Sequence, residues 1–343
     1  MQGYRAPAWL FGAGALGGNA QTIWPALFAR RFHGDAPGFD RTRWTTPDAD
    51  FIDVDWLRGP VNHDAANSPL LVLFHGLEGS SGSHYAQAFA NWAREHGWRF
   101  AVPHFRGCSG ELNLAPRAYH SGDFEEIDWI LRRCRAQHSG PMVAVGVSLG
   151  GNALLRWAEE AGESAASTLD AVAGLSSPVD LAAGGHAIGR GFNRQVYTRM
   201  FLRSMVPKAL RKLAQHPGLF SRERLLAARD LYDFDNVFTA PLHGFRDTDD
   251  YWSRGSAKPH LAQIRIPALV LNARNDPFVP ASSLPTRSEV GPHVTLWQPA
   301  QGGHVGFPGG SVPGHVLTLP ERVMGWMQAQ LGGSALEHET GTR

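Results

Sequence analysis

The stretch Met142 to Leu155, reading Met-Val-Ala-Val-Gly-Val-Ser-Leu-Gly-Gly-Asn-Ala-Leu-Leu, constrains this chain more than any other. A continuous apolar run of strand formers meets Gly-x-Ser-x-Gly and then an Ala/Leu-rich amphipathic segment, which reads as strand, sharp turn and helix. Such a turn strains the backbone of Ser148, and Gly146 and Gly150 let strand and helix close on each other without Cβ clashes. The Oγ of Ser148 then stands at the carboxyl edge of a sheet, with the first N–H groups of the helix aimed at the same spot. Chance occurrences of Gly-x-Ser-x-Gly are frequent, but few are flanked by a buried strand on one side and a helix on the other.

The rest of the chain supplies the sheet that this element needs. Arg41 to Pro47 and Phe51 to Arg58 show partial period-2 alternation around a Pro47-Asp48-Ala49-Asp50 turn, which predicts an antiparallel pair at a sheet edge. From Leu70 the rhythm becomes βα. Leu70–Phe74 is an apolar strand running into a glycine-rich loop, His75-Gly76-Leu77-Glu78-Gly79-Ser80-Ser81-Gly82, and a helix over Tyr85–His96 closed by Gly97. A strand over Arg99–Pro103 leads into Phe-Arg-Gly-Cys-Ser-Gly-Glu, and Ser121 or Asp123 is placed to cap a helix carrying Ile127, Ile130 and Leu131. Leu169–Leu175, Ile266–Asn272 and Val294–Trp297 read as further strands, and Pro320–Leu331 as a closing helix with a loose tail from Gly332 to Arg343.

Between Asp180 and that second group of strands the βα rhythm stops for about eighty residues, which reads as an insertion. From 181 to 230 it holds ten basic residues against two acidic ones, with Phe192, Val196, Met200, Phe201, Leu202 and Met205 between the charges. Amphipathic helices laid over the sheet edge as a cap account for this spacing. One domain over 1–343 follows, with a lead-in over 1–40, a core over about 41–180 and 262–331, and the cap over about 181–261. In the lead-in, Ile23, Trp24, Leu27 and Phe28 are expected to pack on the core.

Composition excludes several classes. A net charge of +1 gives no bulk attraction for nucleic acid. Cys108 and Cys134 are too few for a disulfide framework, which fits a reducing cytoplasm. No apolar stretch reaches the roughly 18 to 20 residues of a membrane-spanning helix. The Ala6 to Leu16 run after Arg5 is broken by glycines and a proline, so a cleaved secretory leader is not expected. No His/Cys/Asp/Glu set has metal-ligand spacing, and neither metal nor cofactor is expected.

A serine hydroxyl needs a base to take its proton, and the base needs an acid to hold its tautomer. Ser148, Asp276 and His304 follow one another in the order serine, acid, histidine, each in a loop directly after an apolar strand. Loops at the carboxyl ends of parallel strands converge on one edge, so residues distant in sequence meet there. Asp180 is the rival acid, although it suits a helix cap; Asn275-Asp276-Pro277 suits a plain turn as well. The N–H groups of Leu77 and Leu149 are the candidate oxyanion donors. His75, Gly76 and Tyr85 are placed at the substrate site, His75 with its imidazole bracing the loop.

The string Gly-Asn-Ala-Gln-Thr-Ile-Trp-Pro-Ala-Leu-Phe at 18–28, His-Gly-Leu-Glu-Gly-Ser-Ser at 75–81, Phe-Arg-Gly-Cys-Ser-Gly-Glu at 105–111, Gly-Val-Ser-Leu-Gly-Gly-Asn at 146–152 and Gly-Gly-His-Val-Gly-Phe at 302–307 resemble the YheT-like α/β-hydrolases over nearly the whole chain. The resemblance implies an α/β-hydrolase fold and carboxylic-ester hydrolysis, with Ser148, Asp276 and His304 as the triad. It implies lipid esters for the eukaryotic members, which often work at membranes through an amino-terminal anchor; no such anchor is read here. Position 19 departs from the family, which usually has His where this chain has Asn. The expectation is a serine esterase for short- to medium-chain acyl esters, acting through an acyl-enzyme. Lipid-ester or thioester hydrolysis and acyl transfer use the same triad, and a ligand-binding protein on the same fold is the alternative from another class. The basic excess of the cap leaves peripheral contact with anionic lipid open, although such charges also suit a solvated helix face.

Overall fold

The computed structural model describes residues 3–59 and 68–339, with side chains to 332. Eight strands form one sheet in the order β1-β2-β4-β3-β5-β6-β7-β8. β1 (Phe39–Thr45) and β2 (Phe51–Leu57) are antiparallel around the expected turn, and β2 pairs antiparallel with β4 (Arg99–Pro103). From β4 onward, β3 (Leu70–Phe74), β5 (Met142–Val147), β6 (Ala171–Leu175), β7 (Ala268–Leu271) and β8 (Val294–Trp297) are all parallel to their neighbours. The register aligns their carboxyl ends: Phe74 sits opposite Gly146, Val147 opposite Leu175, Leu175 opposite Leu271, and Leu271 opposite Trp297. The loops carrying His75, Ser148, Asp276 and His304 therefore leave from one edge.

Helices cover both faces, and the pleat divides the apolar side chains between them. Leu70, Val72 and Phe74 pack toward α3 (Phe124–Arg135) and α4 (Leu149–Ala161), against Ile127, Ile130, Leu154 and Trp157. Leu71 and Leu73 point the other way, toward Phe89 and Trp92 of α2 (His84–Glu95) and Met324 and Met327 of the closing helix. That helix runs over Thr318–Glu339, so the loose tail expected from Gly332 is helical through 339; the residues after it lie outside those described. At the start of α3, Asp123 occupies the cap position but gives its carboxylate to Arg117 at 2.6 Å rather than to a helix N–H.

Helices fill the stretch between β6 and β7. They include α5 (Leu181–Ile188), α6 (Arg199–Gln215), α7 (Arg222–Ala227), α8 (Leu231–Val237) and α9 (Thr248–Gly255), and they bury an apolar cluster of their own around Ala209, Leu225, Phe234 and Phe238. Asn152, fully buried on α4, ties this layer to the sheet. Its amide donates to Ser121 O at 2.8 Å and Gly255 O at 2.7 Å and accepts from Ala257 N at 3.0 Å. Asn152→Ala leaves two carbonyls and an N–H buried without this partner, so we expect denaturant unfolding to show a loss of about 2–4 kcal/mol; a loss below about 0.5 kcal/mol would remove Asn152 as the anchor.

Candidate active site

Ser148 has φ +53° and ψ −118°, the strained conformation that the Gly-x-Ser-x-Gly turn demands. Its N–H is held by Leu175 O at 2.8 Å. The glycines on either side are sterically required. A Cβ on Gly146 would lie 2.6 Å from Gly151 Cα, and one on Gly150 would lie 2.5 Å from His75 O and 2.6 Å from Phe74 O. With the elbow closed this tightly, Ser148 Oγ donates to His304 Nε2 at 3.0 Å, and His304 Nδ1 donates to Asp276 Oδ2 at 2.9 Å. The carboxylate can only accept, which fixes the proton on Nδ1 and leaves the Nε2 lone pair facing the serine hydroxyl. Asp276 Oδ1 accepts from Phe278 N at 2.7 Å and Val279 N at 3.3 Å, and the Phe278 ring lies 4.1 Å from the imidazole. Asp180 does something else: it caps α5 by accepting from Ala183 N at 3.0 Å.

The loop carrying His304 is held from outside the sheet, by the amino-terminal helix α1 (Ala15–Leu27). Thr22 Oγ1 accepts from His304 N at 2.8 Å, Gln21 Oε1 accepts from Gly302 N at 2.8 Å, and Asn275 Oδ1 accepts from Gly303 N at 3.0 Å. Asn275 also donates to Gln21 Oε1 at 3.0 Å, so one buried glutamine joins the loop of the acid to the loop of the base. The contact is close: Gly303 has φ +61°, and a Cβ there would sit 2.7 Å from the carbonyl carbon of Gln21. On the far side, Val305 N donates to Ser176 Oγ at 3.0 Å. Gln21, Thr22 and Asn275 were not read from the sequence as site residues. The spacing Gly17, Gly18, Gln21, Thr22, Pro25 is the signal, a small and polar stripe along one helix face. Its consequence is a correction: α1 buries that stripe and packs Ile23 against the cluster around Phe278 as expected, while Leu27 and Phe28 are exposed and Trp24 only half-buried.

His75, Gly76 and Tyr85 are not in the wall of the cavity over Ser148, although Gly76 lies against the serine, where a Cβ on it would come 3.2 Å from Ser148 Cβ. They shape the loop beneath it. Burial pushes His75 down to about 3, so its ring is neutral; Nδ1 donates to Gly76 O at 2.8 Å and Nε2 accepts from Phe105 N at 3.0 Å. Tyr85 Oη accepts from Gly76 N at 2.9 Å. Both polar groups of Gly76 are thus tied, and Leu77 follows at the cavity wall. Leu149 stands there too, as the first residue of α4, where an N–H has no acceptor within its own helix.

The cavity above Ser148 is walled mainly by apolar side chains of the helical layer, among them Leu181, Ile188, Phe201, Met205, Phe234 and Trp252. Polar side chains interrupt it, Arg106, Asn113, His120 and Lys212 among them. Lys208 of α6 reaches Glu78 Oε1 at 2.7 Å, and Tyr119 Oη both accepts from Glu78 N and donates to the same carboxylate, each at 2.9 Å. Asp235, which accepts from Trp252 Nε1 at 2.9 Å, is pushed up to about 6 by burial. In the Phe105–Glu111 segment, Arg106 reaches the cavity wall and pairs with Asp48, Asp50 and Glu126. Among the described residues no group of three or more side chains could hold a metal ion, and no helix is long and apolar enough to cross a membrane.

A mostly parallel sheet with a strained serine after β5, an acid after β7 and a histidine after β8 is the architecture of an α/β-hydrolase, and the profile of the alpha/beta hydrolase fold matches residues 69–310. The chain belongs to that family, and to its YheT-like members. It is 38% identical to the protein named "Putative esterase YheT" of Escherichia coli (strain K12), over 91% of each chain. It is 30% identical to phospholipase ABHD3 of Mus musculus, over 76% of this chain and 64% of that one. Among solved structures, the Pyrococcus furiosus esterase Pf2001 superposes with a TM-score of 0.54 at 14% identity, covering 88% of this chain and 97% of that one; it shares the fold.

The bracing of the base can be tested apart from any substrate. Thr22→Val removes the acceptor for His304 N–H and Gln21→Ala the acceptor for Gly302 N–H, and displacing a reacting group by about 1 Å costs on the order of a hundredfold. Each variant is expected to slow labelling of Ser148 by a fluorophosphonate by about 10- to 100-fold with an unchanged circular dichroism spectrum. Labelling at the wild-type rate in both would show that α1 does not position His304.

Proposed function

We propose that the chain is a serine carboxylesterase that works through an acyl-enzyme. The observation that carries this reading is the unbroken hydrogen-bonded line from Asp276 through His304 to Ser148, opening into an apolar cavity. Ser148 Oγ attacks the ester carbonyl while His304 Nε2 takes its proton, and Asp276 stabilises the imidazolium that forms. The carbonyl oxygen becomes an oxyanion that the N–H groups of Leu77 and Leu149 receive; one such donor is worth roughly a hundred- to a thousandfold in rate. Collapse breaks the ester C–O bond, His304 returns the proton to the departing alcohol, and water repeats the sequence on the acyl-enzyme to release the acid.

The apolar wall supports an acyl chain of short to medium length as the group held over Ser148. The relatives named esterase and phospholipase support ester hydrolysis over the ligand-binding alternative. The two cysteines are free, which suits the cytoplasm. Hydrolysis of p-nitrophenyl esters from acetyl to palmitoyl tests the reading: kcat/KM is expected to peak at short to medium chains, and Ser148→Ala to lose at least about a thousandfold. Equal turnover in Ser148→Ala would end it, and a peak at palmitoyl would move the substrate class to long-chain lipid esters.

A further inference from the structure

Helix α1 is amphipathic in the inverted sense. Its inner side is Gly17, Gly18, Gln21, Thr22 and Pro25, all buried, with Gly18, Gln21 and Thr22 against the loops of Asp276 and His304. Its outer side carries Leu16 at 67% exposure and Leu27 at 63%, with half-buried Ala20 and Trp24 between them and Phe28 at 56% just beyond. Leu16, Ala20, Trp24 and Leu27 are spaced by four, four and three residues, which lines them up along roughly 20 Å of helix. Phe11, 63% exposed, precedes the same face. Exposed apolar stripes of this length on a folded chain mark a surface that meets something apolar.

Charge says what that is. The first 34 residues contain no Asp or Glu, and neither does the stretch 181–222. The two acid-free segments meet: Ala13, Ala15 and Asn19 border one groove with Arg190, Phe192 and Arg274, a groove whose one acid is the fully buried Asp276, and Tyr197 Oη donates to Asn19 Oδ1 at 2.8 Å. Phe192 is 55% exposed and Arg190 and Arg274 are exposed beside it, while Arg30 is exposed just past the other end of α1. Arg30, Arg190 and Arg274 form no ion pair with an acid among the described residues. An uncharged apolar ridge with aromatic residues, bracketed by arginines that have no acidic partner among the described residues, complements the interface of an anionic lipid bilayer.

We propose that the outer face of α1, with Phe192 and Arg190 of the helical layer, docks this protein on anionic lipid surfaces. The sequence located lipid contact on the cap; here the contact centres on α1 and takes only the edge of the cap. The inference stands whether or not Ser148 proves to be the nucleophile. Because the inner side of α1 holds His304, the docked helix and the braced base are one element.

The test is co-sedimentation of the full chain with vesicles of phosphatidylcholine alone and of phosphatidylcholine with phosphatidylglycerol, beside sedimentation velocity without lipid. Wild type is expected to bind the anionic vesicles and to be released by added salt. Leu16→Ser/Leu27→Ser/Phe28→Ser and, separately, Arg30→Gln/Arg190→Gln are each expected to weaken that binding at least about tenfold, with unchanged circular dichroism and monomer mass. If the triple variant does not fold, the arginine pair alone decides. No binding by wild type, or equal binding by the folded variants, overturns the proposal. So does a concentration-dependent dimer that fails to bind vesicles, since a second copy of the chain would then cover the face.

Discussion

Everything at the site depends on the left-handed backbone of Ser148. No L residue adopts φ +53° without cost, and the cost is sustained because strand and helix are pressed together at Gly146 and Gly150, with Leu175 O holding the serine N–H. Once β5 must turn into α4 within one residue, the side chain has only the carboxyl edge of the sheet to point to. The parallel register then brings the loops after β7 and β8 to that edge. Position is determined by the sheet, while orientation is determined by hydrogen bonds that come from elsewhere.

Those hydrogen bonds explain what was and was not legible in the sequence. Strands such as Leu70–Phe74 and Arg99–Pro103 were readable to the residue because a strand buried on both faces is an unbroken apolar run. Ser148, Asp276 and His304 were readable because each follows such a run. The supports were not. Gln21 and Thr22 lie some 280 residues from the loop they hold, as Gly302 and His304 show, and the small, polar stripe that marks their face of the helix does not say which loop it meets. Expecting Ile23, Trp24, Leu27 and Phe28 to face inward followed the rule that apolar residues pack on the core, which holds for Ile23 but not for Leu27 and Phe28. That rule fails where a helix must satisfy the free N–H groups of a loop whose own geometry leaves them unpaired.

His75, Gly76 and Tyr85 teach the same distinction. All three lie near the strand end that builds the site, and proximity in sequence placed them at the substrate. His75 Nδ1 and Tyr85 Oη fix the Gly76 peptide and so the position of Leu77 at the cavity wall, while His75 Nε2 holds Phe105 N. The Glu78–Lys208 pair likewise joins this loop to α6 across the cavity, which makes the helical layer part of the site's wall as well as its cover.

The most direct test of the account is to quench the protein during turnover of an activated ester and map the acylated peptide by mass spectrometry. The account predicts an acyl group on Ser148, accumulating because an activated leaving group makes acylation faster than deacylation, and no adduct in Ser148→Ala. An adduct on another residue, or steady turnover with Ser148 never modified, would contradict it.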